Sequence, residues 1–357
     1  MNRRGVCYDA GRVMWGQDWR PEFSPGEVRR ELEIIKSDLH CNAVRICGQD
    51  IGRLITAGED ALGQGLEVWL SPELWDRSPE ETLDYLAGAA ERAGELHRRW
   101  PGRVVLSVGS ELTLFMHGIV EGNSVFERLE HPSFLEHVRS GAHNAPLDAF
   151  LAKASDIARQ KFGGSVTYAS VPLETVDWSR FDFVSIDLYR DARIRDRFGE
   201  ILRRYSASGR PVVITESGCC TYRGAADAGA QGFAIIDHHK TPPQLSGDYL
   251  RDESEQAREL SELLACFDHA GADGAFVMTF VSPLHPCSDE PRFDLDLASY
   301  SLVKSYGGRL GALGRAYPDA PWDRDRLGAT YPDLPWEPKE SFRAVAGYYA
   351  GQDRRAA

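Results

Sequence analysis

Residues 211–220 read PVVITESGCC. Val212 to Thr215 form a short apolar, β-branched run, opened by a proline and followed by Glu216, Ser217 and Gly218. Such a run, bounded by turn residues, reads as a strand buried on both faces. A carboxylate at its end is costly to bury unless it is paired. Glu216 therefore sits either in an ion pair or where the strand opens into a site, and Gly218 lets the chain turn away beneath it.

The same unit recurs in both directions along the chain. Strands are predicted at Gly5–Tyr8, Asn42–Ile46, Leu66–Leu70, Arg103–Val108, Ser165–Ala169, Phe181–Leu188, Pro211–Thr215 and Gly274–Phe280. Between them lie amphipathic segments. One starts at Ser24, with Pro25 at its first position and Glu27 as cap partner, and carries Val28, Leu32, Ile35 and Leu39 at helical spacing. Another spans Ile51–Leu62, and Ser78-Pro-Glu-Glu81 is a capping box opening a helix to Arg99. Further helices are predicted at Pro146–Phe162, Arg193–Ser206, Asp248–Ala270 and Pro338–Tyr349. Between the fifth and sixth strands there is room for minimal helix only. Residues 116–144 read as loop with a little helix.

Strands alternating with helix-length connections imply parallel pairing with right-handed crossovers. Eight such units in 357 residues predict an α/β fold, a (β/α)8 TIM barrel, with long loops after strands 4, 7 and 8. A single domain is expected over residues 1–351, followed by a polar tail at 352–357. A doubly wound sheet would need a glycine-rich phosphate turn after an early strand, and Gly5-Val-Cys-Tyr-Asp-Ala-Gly11 has the wrong spacing.

The chain is 42% hydrophobic and 27% charged, with 41 basic against 54 acidic residues and a net charge of -13. That balance argues against nucleic acid as a partner, since phosphate binding relies on basic patches. No apolar run reaches the roughly 18 residues of a membrane span, and Met1–Gly11 lacks the apolar core of a secretory signal. Seven scattered cysteines read as reduced thiols in a cytoplasmic protein. The related hexapeptides YPDAPW, ending at Trp322, and YPDLPW, ending at Trp336, read as local turns, with a tryptophan in a pocket wall as the alternative.

Chemistry in such a barrel sits at the C-terminal ends of the strands. Those ends present Tyr8 and Asp9, Arg45, Glu73 and Trp75, Ser110 and Glu111, Tyr168, Asp187 with Tyr189 and Arg190, Glu216, and Thr279 with Phe280. Glu111 and Glu216 each close an apolar strand, and strands 4 and 7 face each other across the barrel mouth. Two carboxyls about 5–5.5 Å apart suit a retaining glycosidase, and a gap of about 6.5–9.5 Å suits inversion through water.

At these residues the chain resembles the clan of retaining glycoside hydrolases built on (β/α)8 barrels. Val105-Leu-Ser-Val-Gly-Ser-Glu111 resembles its strand 4, which ends in the acid/base, and Pro211-Val-Val-Ile-Thr-Glu216 its strand 7, which ends in the nucleophile. Asn42-Ala-Val-Arg45 resembles strand 2, whose arginine supports the nucleophile. Phe183–Tyr189 resembles strand 6, whose tyrosine contacts it. Gly274–Phe280 resembles strand 8, whose aromatic residue floors the sugar site. The chain more closely resembles bacterial proteins labelled abortive infection protein, a label that names a phenotype.

The resemblance implies catalysis by Glu111 and Glu216, support from Arg45, Tyr189 and Ser110, and substrate contact by Tyr8, Asp9, Glu73, Trp75, Tyr168, Asp187 and Phe280. The clan usually has Asn where this chain has Ser110, which is shorter and has one donor instead of two. Phe280 in place of the clan's usual Trp keeps a stacking face and loses an N–H. No metal and no cofactor are expected: Cys219, Cys220, His238 and His239 suit zinc by ligand type, but adjacent pairs are not a usual ligand spacing. The expected partner is a small molecule or an oligosaccharide. Two alternatives stay open: acid/base chemistry by the same carboxylates on a non-sugar molecule, and a non-catalytic carbohydrate-binding protein. The sequence leaves the oligomeric state open.

Overall fold

A computed structural model describes every residue except 15, 307–312, 314–315, 324 and 357, without side chains beyond 352. Eight parallel strands close into a barrel. They are β1 (Arg3–Asp9), β2 (Ala43–Gly48), β3 (Glu67–Pro72), β4 (Val104–Ser110), β5 (Ser165–Ser170), β6 (Val184–Asp187), β7 (Val212–Ser217) and β8 (Gly274–Val277). Each pairs with its sequence neighbours, and β8 pairs back to β1. The (β/α)8 expectation is met.

The helices that clothe the barrel are α1 (Pro25–Ser37), α2 (Ile51–Gly63), α3 (Pro79–Arg99), α4 (Asn144–Lys161), α5 (Phe198–Ser206), α6 (Glu253–His269) and α7 (Glu340–Ala356). Their starts follow the sequence signals. Ser24 caps α1 by accepting the Glu27 N–H at 3.4 Å, with Pro25 in the first turn. In the capping box of α3, the Glu81 N–H donates to Ser78 Oγ at 3.3 Å and the Ser78 N–H to Glu81 Oε2 at 2.9 Å. Between β5 and β6 there is a single 3-10 turn, Trp178–Arg180. The final helix takes residues 352–356 into its last turn.

Side chains alternate between two cores, as strand geometry requires. Val6, Tyr8, Val44, Ile46, Tyr168, Ile186 and Ile214 face the helices in one large cluster. Cys7, Ala43, Trp69, Val105, Phe183, Val213 and Phe276 fill the barrel interior. The alternation breaks at two places. The β4–β5 register shifts between Ser107 and Ser110, so β4 carries one extra residue there. On β7 an extra residue enters after Ile214, seen against both β6 and β8. A bulge re-aims the side chains that follow it, and these two lie just before Glu111 and Glu216.

The long loops fall where expected. The one after β4 contains three short helices, Leu112–Phe115, Val125–Glu130 and Phe134–Ser140. After β8 the chain returns through an antiparallel pair, Val303–Ser305 with Trp336–Pro338. Trp336 is buried, and its indole N–H donates to Glu31 Oε1 at 2.9 Å. Trp322 donates to the Phe293 carbonyl at 2.8 Å. Both repeat tryptophans are thus packing residues. No described helix is long and apolar enough to cross a membrane.

Candidate active site

A cavity of about 230 Å³ opens at the C-terminal ends of the strands. Asp9, Trp75, Ser110, Glu111, Tyr189 and Glu216 line it. One oxygen each of Glu111, Asp187 and Glu216 lie within 4.8 Å of one another.

Glu111 directly follows β4 in the left-handed region, at φ 50°. Its N–H still donates to the Ala169 carbonyl at 2.8 Å, continuing the ladder, while its carbonyl accepts from Leu114 and Phe115 to start the next turn. A non-glycine residue held there costs of the order of 1–3 kcal/mol and needs support from its surroundings. The support is Tyr168, whose Oη accepts the Leu112 N–H at 2.8 Å and donates to Glu174 at 2.9 Å, while Glu174 accepts the Thr113 N–H at 3.1 Å. Tyr168 is fully buried and faces the helix layer, so it positions the turn after Glu111 and does not line the cavity.

Glu216 is held by three donors. Arg45 Nη1 donates to its Oε1 at 2.6 Å, Arg12 Nη2 to the same oxygen at 2.9 Å, and Tyr189 Oη to its Oε2 at 3.2 Å. Arg45 also donates to Ser71 and Ser110 Oγ, each at 3.1 Å. Ser110 Oγ in turn donates to Asp187 at 3.1 Å. Arg12 reaches Glu73 through Nε at 2.6 Å, and Ser71 donates to Glu73 at 3.1 Å. Asp9 accepts the N–H groups of Gly11 and Arg12 at 2.7 and 2.9 Å, shaping the turn that carries Arg12 inward. Asp9 and Glu73 therefore act on Arg12.

The same network splits the carboxyl acidities. Burial pushes Glu216 up, but Arg12 and Arg45 outweigh it and hold the group below its ordinary value. Burial, then Asp187 and Glu216, push Glu111 well up. Burial and Glu216 push Asp187 up to about 7 against the pull of Arg45. Two guanidiniums cannot neutralise this many carboxylates, so the carboxyl without an arginine contact, Glu111, keeps its proton most readily.

Among the described residues, ligand atoms close enough to share a cation occur in two groups, Cys47 with Glu73 and Glu216, and Glu111 with Asp187 and Glu216. In both, Arg12 and Arg45 already supply the positive charge. Cys219 and Cys220 are buried thiols bonded to the carbonyls of Cys220 and Ala298 at 3.4 and 3.2 Å, and burial pushes both up, which suits packing. All seven cysteines are free thiols.

Several residues expected at the substrate lie elsewhere. Tyr8 is fully buried on the helix side of β1, donating to Glu31 at 2.5 Å and accepting from Arg20 at 2.8 Å. Phe280 is fully buried against Tyr8, Trp336 and Phe342, because β8 ends at Val277 and the chain turns outward. Met278 and Thr279 line the cavity where Phe280 was expected. Arg190 pairs with Glu259 and Glu262 at 2.6 and 2.7 Å and takes no part. Gly218 is small for a different reason than turning: a Cβ there would meet the Met278 carbonyl at 2.7 Å and the Tyr300 ring at 3.1 Å.

Sequence reasoning missed Arg12, whose signal was a lone cation four residues after Tyr8, and Glu174, which had none. Arg12→Met is expected to leave buried Glu73 only Ser71 and the more distant Arg45, at 3.6 Å, and to weaken the hold on Glu216. Breaking a buried pair costs about 3–5 kcal/mol, measurable by chemical denaturation. An unchanged denaturation midpoint would show that the pair is not needed.

No known family's sequence profile matches the chain, and no curated protein matches it in sequence. Among solved structures it is similar to β-glucuronidase 3 of Bacteroides uniformis, at 16% identity and TM-score 0.55 over 99% of this chain. It is also similar to β-glucuronidase 2 of the same organism, covalently bound to cyclophellitol-6-carboxylate aziridine, at 16% identity and TM-score 0.52 over 91% of this chain. The chain spans 38% and 36% of those two proteins. A broad-specificity endoglucanase from Clostridium longisporum is similar at 11% identity and TM-score 0.53, over 98% of this chain and 96% of that one. At these identities the likeness is one of fold, the (β/α)8 barrel.

Proposed function

We propose that the protein is a retaining glycosidase or transglycosidase acting by double displacement. Glu216 attacks the anomeric carbon while Glu111 protonates the departing oxygen. Glu111 then takes a proton from water, or another acceptor, as that oxygen displaces Glu216. The observation that carries this is the pairing of position with acidity. One oxygen of Glu111 and one of Glu216 lie within 4.8 Å, which agrees with a closely spaced pair, and their acidities are driven in opposite directions. Tyr189 and the two arginines hold Glu216 ionised. The fold neighbours named above are two β-glucuronidases and an endoglucanase, which agrees.

A panel of nitrophenyl glycosides, with proton NMR of the first-formed sugar, tests this. Turnover of at least one member with retention of configuration is expected. A protein that turns over none of them, or inverts, is not this enzyme. For the member turned over, kcat/KM should follow a bell. Glu216 must be ionised, so its depressed pKa places the acid limb below the ordinary glutamate value of about 4.3. Glu111 must be protonated, so activity falls as pH rises through its raised pKa. An acid limb well above that value would contradict the assignment.

Ser110 favours a second chemistry. Its one hydroxyl proton is committed to Asp187, so it has no donor left for a substrate hydroxyl. Proton transfer on a non-sugar molecule by the same two carboxylates would accommodate this, and would leave the whole panel unturned.

A further inference from the structure

The acid/base carboxyl sits on the leaving-group side of the scissile bond, because its proton goes to the leaving oxygen. What stands beside Glu111 therefore faces the aglycone. That wall comes from the loop Glu111 itself begins. Phe115, Val125, Phe126 and Leu129 line the cavity from it, and Phe233 and Ile236 line it from the loop after β7. None of these side chains carries a polar atom. Phe126 and Leu129 are 38% and 42% exposed. Of the polar lining groups, Asp9, Ser110, Tyr189 and Thr279 lie at the strand ends or just beyond them, Arg12 and His238 come from the loops after β1 and β7, and Ser282, His285, Ser299 and Tyr300 from the loop after β8; none comes from the loop that Glu111 begins.

The apolar wall is built in place. Arg128, on the same short helix Val125–Glu130, is buried and donates to the Leu114 carbonyl at 2.6 Å and the Gly122 carbonyl at 2.9 Å, and it pairs with Asp76 after β3. Ser124 caps that helix by accepting the Glu127 N–H at 3.3 Å. Trp75 stacks on Phe115 with centroids 4.4 Å apart. A sugar in the leaving position would bury hydroxyls against groups that cannot bond them. A hydrocarbon would bury apolar surface at no such cost.

We infer that the leaving group is a hydrophobic aglycone, an alkyl or aryl alcohol, and not a second sugar. This rests on the glycosidase proposal and names its substrate class. In the first step the bond from the anomeric carbon to the aglycone oxygen breaks as the bond to Glu216 forms. The Glu111 proton goes to that oxygen, and the free alcohol leaves along the apolar wall.

The test uses methyl, butyl and hexyl glycosides, and a disaccharide, of the sugar that the nitrophenyl panel identifies. Each buried methylene is worth roughly fourfold in kcat/KM at most. A rise of on the order of a hundredfold from methyl to hexyl is expected, with the disaccharide below hexyl. The double variant Phe126→Ala, Leu129→Ala should cut the hexyl-to-methyl ratio at least about tenfold. Both residues are partly exposed, so folding is not at stake. Turnover with a flat chain-length dependence, or with the disaccharide preferred, overturns the apolar aglycone and leaves the glycosidase standing. No turnover of any glycoside contradicts both.

Discussion

Glu216→Ala is expected to lower kcat/KM by on the order of 10⁴-fold or more, because the group that would form the covalent intermediate is gone. The fold should persist. Arg12 keeps Glu73 through its Nε at 2.6 Å, and Arg45 keeps Ser71 and Ser110 and lies 3.8 Å from Asp187. The loss is therefore chemical, and circular dichroism should show native helix content. The cavity left behind can admit a small anion such as azide. Entering from the nucleophile's face, azide would displace the aglycone once and give a glycosyl azide of inverted configuration. Full activity in the variant would remove Glu216 from the mechanism. An azide product of retained configuration would place the nucleophile on the opposite face.

Glu111→Gln should separate substrates by leaving group. The amide keeps the shape of the carboxyl but delivers no proton, and general acid catalysis is worth about 10²–10⁴-fold. Alkyl glycosides should lose that whole factor. A dinitrophenyl glycoside, whose leaving group needs no proton, should lose far less in its first step. The basic limb of the pH profile should disappear, since it reports the raised pKa of Glu111. Equal losses on both substrates, or a basic limb that survives, would assign the acid to another group, with Asp187 the nearest carboxyl.

The barrel was legible because its signals are local. A proline or serine opens each of α1 and α3, apolar runs mark each strand, and alternation does the rest. Glu111, Glu216, Arg45, Ser110 and Tyr189 were legible as strand-end residues; the structure bonds Glu216, Arg45, Ser110 and Tyr189 into one network and brings a Glu111 oxygen within 4.8 Å of one on Glu216. Tyr8 and Tyr168 failed the same test because strand-end position alone ignores parity. Cys7 faces the barrel interior, so Tyr8 faces the helices, and Thr167 stands in the same relation to Tyr168. Strict parity would also have turned Ser110 and Glu216 outward. The bulges on β4 and β7 reverse it, and single-residue register shifts leave no mark in an apolar pattern. Phe280 was misplaced because β8 ends three residues earlier than the apolar run that contains it. Arg12 and Glu174 act through loops, where spacing carries no information about direction.

The arginine pair explains why the acidities of two neighbouring glutamates are driven in opposite directions. Arg12 and Arg45 both touch Glu216 and neither touches Glu111 by a hydrogen bond. Burial, then the neighbouring Asp187 and Glu216, make ionising Glu111 harder.

The most direct measurement is the mass of the peptide containing Val212–Ser217 after incubation with a 2-deoxy-2-fluoro glycosyl fluoride of the sugar turned over. The fluorine at carbon 2 slows release of the covalent intermediate more than its formation when the leaving group is good. The expected result is one fluoroglycosyl group added to that peptide, esterified at Glu216, with activity lost in step. An adduct on Asp187 or Glu73, or an active enzyme that forms no adduct and inverts configuration, would contradict nucleophilic catalysis by Glu216.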